Sequence, residues 1–247
     1  MAFSCAARLV VPRAGFIRGW LLLMLLVAAS GNLLAADQAH IRHQLAAIVA
    51  VFNAQARDLD TTDPASLAYL NGFIATTLSQ HWDTAYMAQH LLGDANYASL
   101  DTSQQQQLRQ TLETTFYRYA YEVIDEYKQA PMVLSENFET AAGLLRIKLQ
   151  VKGPWLPAIT GTLYLLPTST SWAIVDAGYG GLTYNMLKRN SYQRRFARLG
   201  FAGLLNWLDE KNQRFFADYC APGMVEVMPE HIAALYLADG TCQMSES

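Results

Sequence analysis

Apolar positions along the chain change their period twice. Leu45, Ile48, Val49 and Phe52 recur at helical steps and predict an amphipathic helix over about Ala39–Ala56. Asp63 stands before Pro64, a cap followed by a residue suited to the first helical position, so a second helix begins there. A shorter helix opens at Asp83 and stops at Gly93. Asp101 and Gln104 have capping-box spacing. Behind them Leu108, Leu112, Phe116, Tyr119, Val123 and Tyr127 form one apolar stripe, which Pro131 ends.

The period then drops to two. Leu145, Ile147, Leu149 and Val151 alternate with Arg146, Lys148 and Gln150, the pattern of a half-buried strand. A second strand carries Ile159, Leu163 and Leu165 on one face, and "WAIVDA" from Trp172 forms a third. The short turns between them imply an antiparallel meander. Helical spacing returns over Leu182–Leu199 and Phe201–Asn212, divided at Gly200, and over Pro229–Ala238. Helices, then a small sheet of about four strands, then helices again argue an α+β fold.

The first 36 residues stand apart from this pattern. Arg8, Arg13 and Arg18 precede the apolar run Trp20–Ala29, and small residues follow, as in a secretory signal cleaved after Ala36. The alternative is a retained membrane anchor, although the run is short for a bilayer. The domain reading is therefore a signal over 1–36, an α+β domain over 37–218 and a C-terminal extension over 219–247. Cleavage removes three arginines and no acids, which moves the formal net charge from −3 to −6. An acidic product is not a general nucleic-acid binder, and by its net charge it would not adhere nonspecifically to anionic lipid. Export also leaves Cys220 and Cys242 as the two remaining cysteines, a candidate disulfide or a pair of free thiols.

The chemical motifs are few. Gly178, Gly180 and Gly181 follow a strand and precede a helix, like a phosphate-binding loop. A dinucleotide fingerprint needs a third glycine and a parallel unit, and a Walker loop needs Lys-Ser/Thr where Leu182-Thr183 stands. The glycines therefore read as a sharp turn. His40 and His43 lie near a terminus, and His81, His90 and His231 have no ligand spacing, so no metal site is expected. Asp176 ends an apolar strand on the parity of Trp172 and Ile174. It reads as an ion pair with Arg189 or a cap on the turn amides, and alternatively as a buried general base.

Trp172, Ile174, Asp176, Gly181, Leu182, Thr183, Arg189 and Tyr192 together resemble the C-terminal signature of the MlaC, or toluene-tolerance, family of periplasmic phospholipid-binding proteins. The helix around Asp101–Tyr127 is similar to the family's Phe/Tyr-rich helix, and the likeness spans about Leu67–Asn212. The resemblance implies a periplasmic, non-enzymatic carrier without a cofactor. It would pass a glycerophospholipid between an outer-membrane lipoprotein complex and an inner-membrane ABC transporter, maintaining outer-membrane lipid asymmetry. It further implies a dry, elongated cavity near 1,000 Å³, at the upper end of ordinary pockets. The expected walls are Phe116, Tyr119, Val123, Leu145, Ile147, Leu149, Ile159, Leu163 and Leu165, although each serves equally well as ordinary core. Trp172, Asp176, Gly181, Arg189 and Tyr192 are expected to build the corner beside it. The rival readings are an enzyme using Asp176 as base and a periplasmic non-lipid binding or chaperone module.

Overall fold

The structure, a computed structural model, describes residues 38–60, 62–127, 130–152, 158–168, 171–219 and 225–237. The side chains of 57, 123–127 and 235–237 are outside that description. So are residues 1–36, Cys220 and Cys242, and with them the expected signal and disulfide. The chain divides into two compact units, residues 1–44 and 45–247. In the first, residues 38–44 are helical.

The second unit opens with α1 (residues 45–55). Then come α2 (Pro64–Phe73), α3 (Thr84–Leu92), α4 (Asp94–Ala98) and α5 (Thr102–Tyr127). Local signals set their ends. The Asp63 carboxylate accepts from the Ser66 amide, and Asp83 accepts from Tyr86 N at 2.8 Å. At α5 the capping box closes in both directions. Gln104 N donates to Asp101 Oδ1 at 2.8 Å, and Asp101 N donates to Gln104 Oε1 at 3.1 Å.

The sheet follows: β1 (Met132–Leu134), β2 (Glu139–Ala141), β3 (Leu144–Val151), β4 (Ile159–Pro167), β5 (Trp172–Tyr179) and β6 (Leu182–Thr183). Its order is β1-β3-β4-β5-β6, with β2 also paired to β3, and every pairing is antiparallel. The expected three-strand meander is its centre, and three short strands extend it to six among the described residues. One irregularity matters. Tyr164 pairs with Asp176 while Leu165 pairs with Ile174, so Val175 is an extra residue in β5. This bulge moves Asp176 to the sheet face opposite Ile174, against the parity read from the sequence.

β5 and β6 are joined by Gly180 and Gly181, at φ 59° and 82°. Two central residues at positive φ are the mark of a type I′ hairpin. The hairpin takes Leu182 and Thr183 into a strand, so the next helix, α6 (Tyr184–Phe216), starts two residues later than the periodicity predicts. Thr183 caps it by accepting from Met186 N at 3.2 Å. Gly200, at φ 69° and ψ −172°, breaks α6 where the sequence divides two helices.

The last helix, α7 (Glu230–Leu237), is preceded by a 3₁₀ turn at Val225–Val227. These described residues of the expected extension enter the main core. Met228 and Ile232 pack with Phe52, Leu70, Phe73, Tyr121 and Phe216. Asn71 stitches the segment down: its Nδ2 donates to Val227 O at 2.8 Å, and its Oδ1 accepts from the Tyr121 hydroxyl. A second cluster joins α3, α5 and α6 through Leu91, Leu92, Leu108, Leu112, Tyr192, Leu204 and Leu208.

Candidate functional site

A cavity of about 190 Å³ lies between one face of the sheet and the helices. Leu149 of β3, Leu163 of β4, and Trp172 and Ile174 of β5 form its floor, with Met132 and Leu134 of β1 at one side. Leu45, Ile48, Val49 and Phe52 of α1 cover it, joined by Phe73, Leu78 and Ala120. Among its lining residues only His81 and Trp82 carry polar side-chain atoms besides Trp172. The His81 ring stacks flat on Trp172 at 4.0 Å, and Trp82 Nε1 donates to Met87 Sδ. Burial pushes the His81 imidazole below its ordinary value, which favours its neutral form in this wall.

The structure sorts the nine expected wall residues. Leu149 and Leu163 line the cavity. Leu145, Ile147 and Leu165 lie on the same sheet face, are buried, and do not line the cavity. Phe116 lines an adjoining pocket of about 100 Å³ and packs on Trp82 at 4.0 Å. Tyr119, three positions further along α5, turns instead to α6, where its ring meets Tyr184 edge-on. Ile159 is half-buried and does not line the cavity, and the Val123 side chain is outside the described residues. The α1 face and the Trp172–Ile174 pair are walls that were not expected. Both were visible as apolar faces, but the sequence did not show that they meet.

The cavity is also smaller than the resemblance implies. Its volume is below even the ~300 Å³ at the low end of small-molecule pockets.

The glycine corner lies on the other face of the sheet. Asp176, 8% exposed, accepts from Ala177 N at 2.9 Å and from Asn185 N at 3.3 Å. The Thr183 and Asn185 side chains also favour its charged form. Burial dominates and raises the Asp176 pKa above the ordinary carboxylate value, while these hydrogen bonds pull it back. Among the described residues no ion pair joins Asp176 to Arg189; of the two structural roles considered, the carboxylate takes the cap. Arg189 instead lines, with Asp176, Tyr86, His90 and Tyr164, a groove of about 270 Å³. The first amides of α6 are thus already held by Asp176 and Thr183, which is why this glycine turn makes no phosphate cradle. Tyr192 is fully enclosed, with its hydroxyl 3.2 Å from that of Tyr184 and its ring edge-on to Trp207. Burial drives both phenols well above their ordinary values, so both act as neutral packing groups.

No curated protein matches the sequence. Among solved structures, the fold is similar to that of the phospholipid-binding protein from Ralstonia solanacearum in complex with a phospholipid. The likeness has a TM-score of 0.59 at 16% identity, over 72% of this chain and 98% of that one. Residues 46–210, more than half of the sequence, match the family model described as MlaC protein. With an α+β fold of that type around an apolar cavity, the chain belongs to the MlaC family.

Proposed function

We propose that this protein is a periplasmic phospholipid carrier that holds the acyl chains of its cargo in the cavity between α1 and the sheet. The observation that carries the reading is the apolar lining of that cavity, in a chain of the MlaC family. The phospholipid bound by the Ralstonia relative supports the same ligand class. Each methylene taken out of water is worth about 0.8 kcal/mol. The carrier does not have to supply that in net terms, because the tails start in an equally apolar bilayer. It has only to match the bilayer closely enough for handoff to proceed.

The observed volume does not accommodate two acyl chains, so loading requires the walls to part. Handoff then runs between an outer-membrane lipoprotein complex and an inner-membrane ABC transporter, with direction set by those partners. The chain needs no cofactor for this and performs no bond chemistry. Asp176, the base of the enzyme reading, faces away from this cavity, and its Oδ1 accepts from two backbone amides.

The test is native mass spectrometry with lipid extraction on protein purified from the periplasm, before and after incubation with phospholipid vesicles. Phospholipid is expected at one molecule per chain. Leu163→Trp, which fills the floor of the cavity, is expected to lower occupancy while the fold persists. A folded protein that yields no phospholipid even after vesicle incubation refutes the carrier.

A further inference from the structure

Neither the cavity nor the core uses the outer surface of the first half of α6. From Tyr184 to Trp207 the sequence carries Lys188, Arg189, Arg194, Arg195 and Arg198 and no acidic residue. Among the described residues none of these five enters an ion pair. Two of them, Lys188 and Arg195, join Arg118 and Arg214 around Lys211, where burial first and these cations second pull the ammonium below its ordinary value. The chain is acidic overall, so this helix is a positive pole that the net charge conceals.

Apolar side chains stand bare beside the cations. Met186 and Leu187 on α6 are 60% and 58% exposed, and Tyr179 and Leu182, flanking the glycine turn, are 64% and 51% exposed. At 3.6 residues per turn, Met186, Asn190, Arg194, Ala197 and Arg198 fall on one stripe, and all five face water. The turn itself stands clear, because a Cβ at Gly180 or Gly181 would meet nothing within 4 Å. An aromatic and three aliphatic side chains at a projecting tip, backed by unpaired cations, have the composition of an interfacial membrane contact. A protein partner would instead be expected to receive such side chains as anchors set in a packed interface.

We propose that the β5–β6 hairpin and the exposed stripe of α6 dock on an anionic phospholipid bilayer. Tyr179, Leu182, Met186 and Leu187 enter the headgroup boundary, and Arg194 and Arg198 meet lipid phosphates. The proposal rests on the carrier reading, which requires visits to membranes, and adds the surface by which the visits are made.

Co-sedimentation separates the possibilities, with vesicles of phosphatidylcholine alone and of phosphatidylcholine mixed with phosphatidylglycerol, at low and at physiological salt. The wild-type protein is expected to partition onto the anionic vesicles and to release as salt rises. Each cation near such a surface is worth about fivefold in partitioning, so Arg194→Gln with Arg198→Gln is expected to lower it roughly thirtyfold. Arg194→Lys with Arg198→Lys is expected to keep it, and Leu182→Gln with Met186→Gln to weaken it. Each variant is first matched to wild type in thermal midpoint; Arg198→Gln alone replaces the double change if that is not met.

Equal binding to neutral vesicles, no binding to anionic ones, or indifference to the glutamine variants overturns the proposal. Extracted lipid is measured in the same samples. Its absence refutes the carrier reading, whereas vesicle binding judges the docking surface.

Discussion

Replacing Asp176 tests whether the carboxylate is a structural cap. Asp176→Ala removes the acceptor for Ala177 N and Asn185 N. Each buried donor left without a partner costs about 1–3 kcal/mol. Two terms reduce the total: Thr183 still caps Met186, and a buried charge is relieved of its desolvation. A net loss of about 2 kcal/mol is expected, comparable with the largest helix-cap deletions. In a protein of this size that is a fall of roughly 4–8 °C in thermal midpoint. Asp176→Asn keeps an oxygen of the same shape for the two amides and removes the charge, so it is expected within about 1 kcal/mol of wild type.

The pH profile carries the sharper test. Burial raises the Asp176 pKa in the folded state, so the folded chain binds that proton more tightly than the unfolded chain does. Its contribution is therefore most favourable below the ordinary carboxylate value. It is lost as pH rises through the elevated one and is flat above. Asp176→Asn lacks this dependence, so its stability relative to wild type should climb across that window. Circular dichroism melts at a series of pH values measure both effects. Parallel profiles for wild type and Asp176→Asn would refute the burial argument. A stable Asp176→Asn that no longer retains lipid would refute the purely structural role.

Two further substitutions probe the frame around the cavity. A Cβ at Gly178 would lie 2.6 Å from Leu182 O and 3.2 Å from Thr183 Cα, both backbone, whereas one at Gly161 would come no closer than 3.6 Å to anything. Gly178→Ala is thus expected to cost about 1–3 kcal/mol by forcing β5 and β6 apart, and Gly161→Ala to be neutral or slightly stabilising, in parallel thermal melts. Asn71→Leu removes the bridge that joins the Tyr121 hydroxyl to the Val227 carbonyl and is expected to cost about 2 kcal/mol in urea titration. Hydrogen exchange at Ile232 should accelerate with it, and unchanged protection there would show that the Asn71 bridge does not hold α7 down.

What was legible in the sequence was local. The Asp101–Gln104 box, the Asp83 cap and the break at Gly200 each depend on residues within a turn of one another, and each stands where the spacing put it. The alternation of β3 was legible for the same reason. The face of Asp176 was not, because the bulge at Val175 is set by pairing with β4 rather than by β5 itself. The hairpin at Gly180–Gly181 was hidden by the helical period that starts just after it, which absorbed Leu182 and Thr183. The cavity was half legible. Ile147 and Leu149 share a sheet face, and so do Leu163 and Leu165, but which of them faces a void depends on where the helices sit. Periodicity names a buried face and says nothing of what covers it.

The bulge also explains how one strand serves both sides of the sheet. Before it, Trp172 and Ile174 give β5 an apolar face to the cavity. After it, Asp176 turns to the opposite face, where the Asn185 amide at the start of α6 donates to it. Without the extra residue the same strand would carry its carboxylate on the cavity face beside Trp172 and Ile174. An ionised group there would have to be desolvated by acyl chains that offer it no hydrogen bond, and a neutral one would still lose its partners. The cavity would then either admit water or bind its cargo less well. Val175 thus separates two demands on a single strand. It keeps the wall apolar, as the proposed lipid cargo requires, and it sends the one buried acid of β5 to the corner where it fastens hairpin to helix.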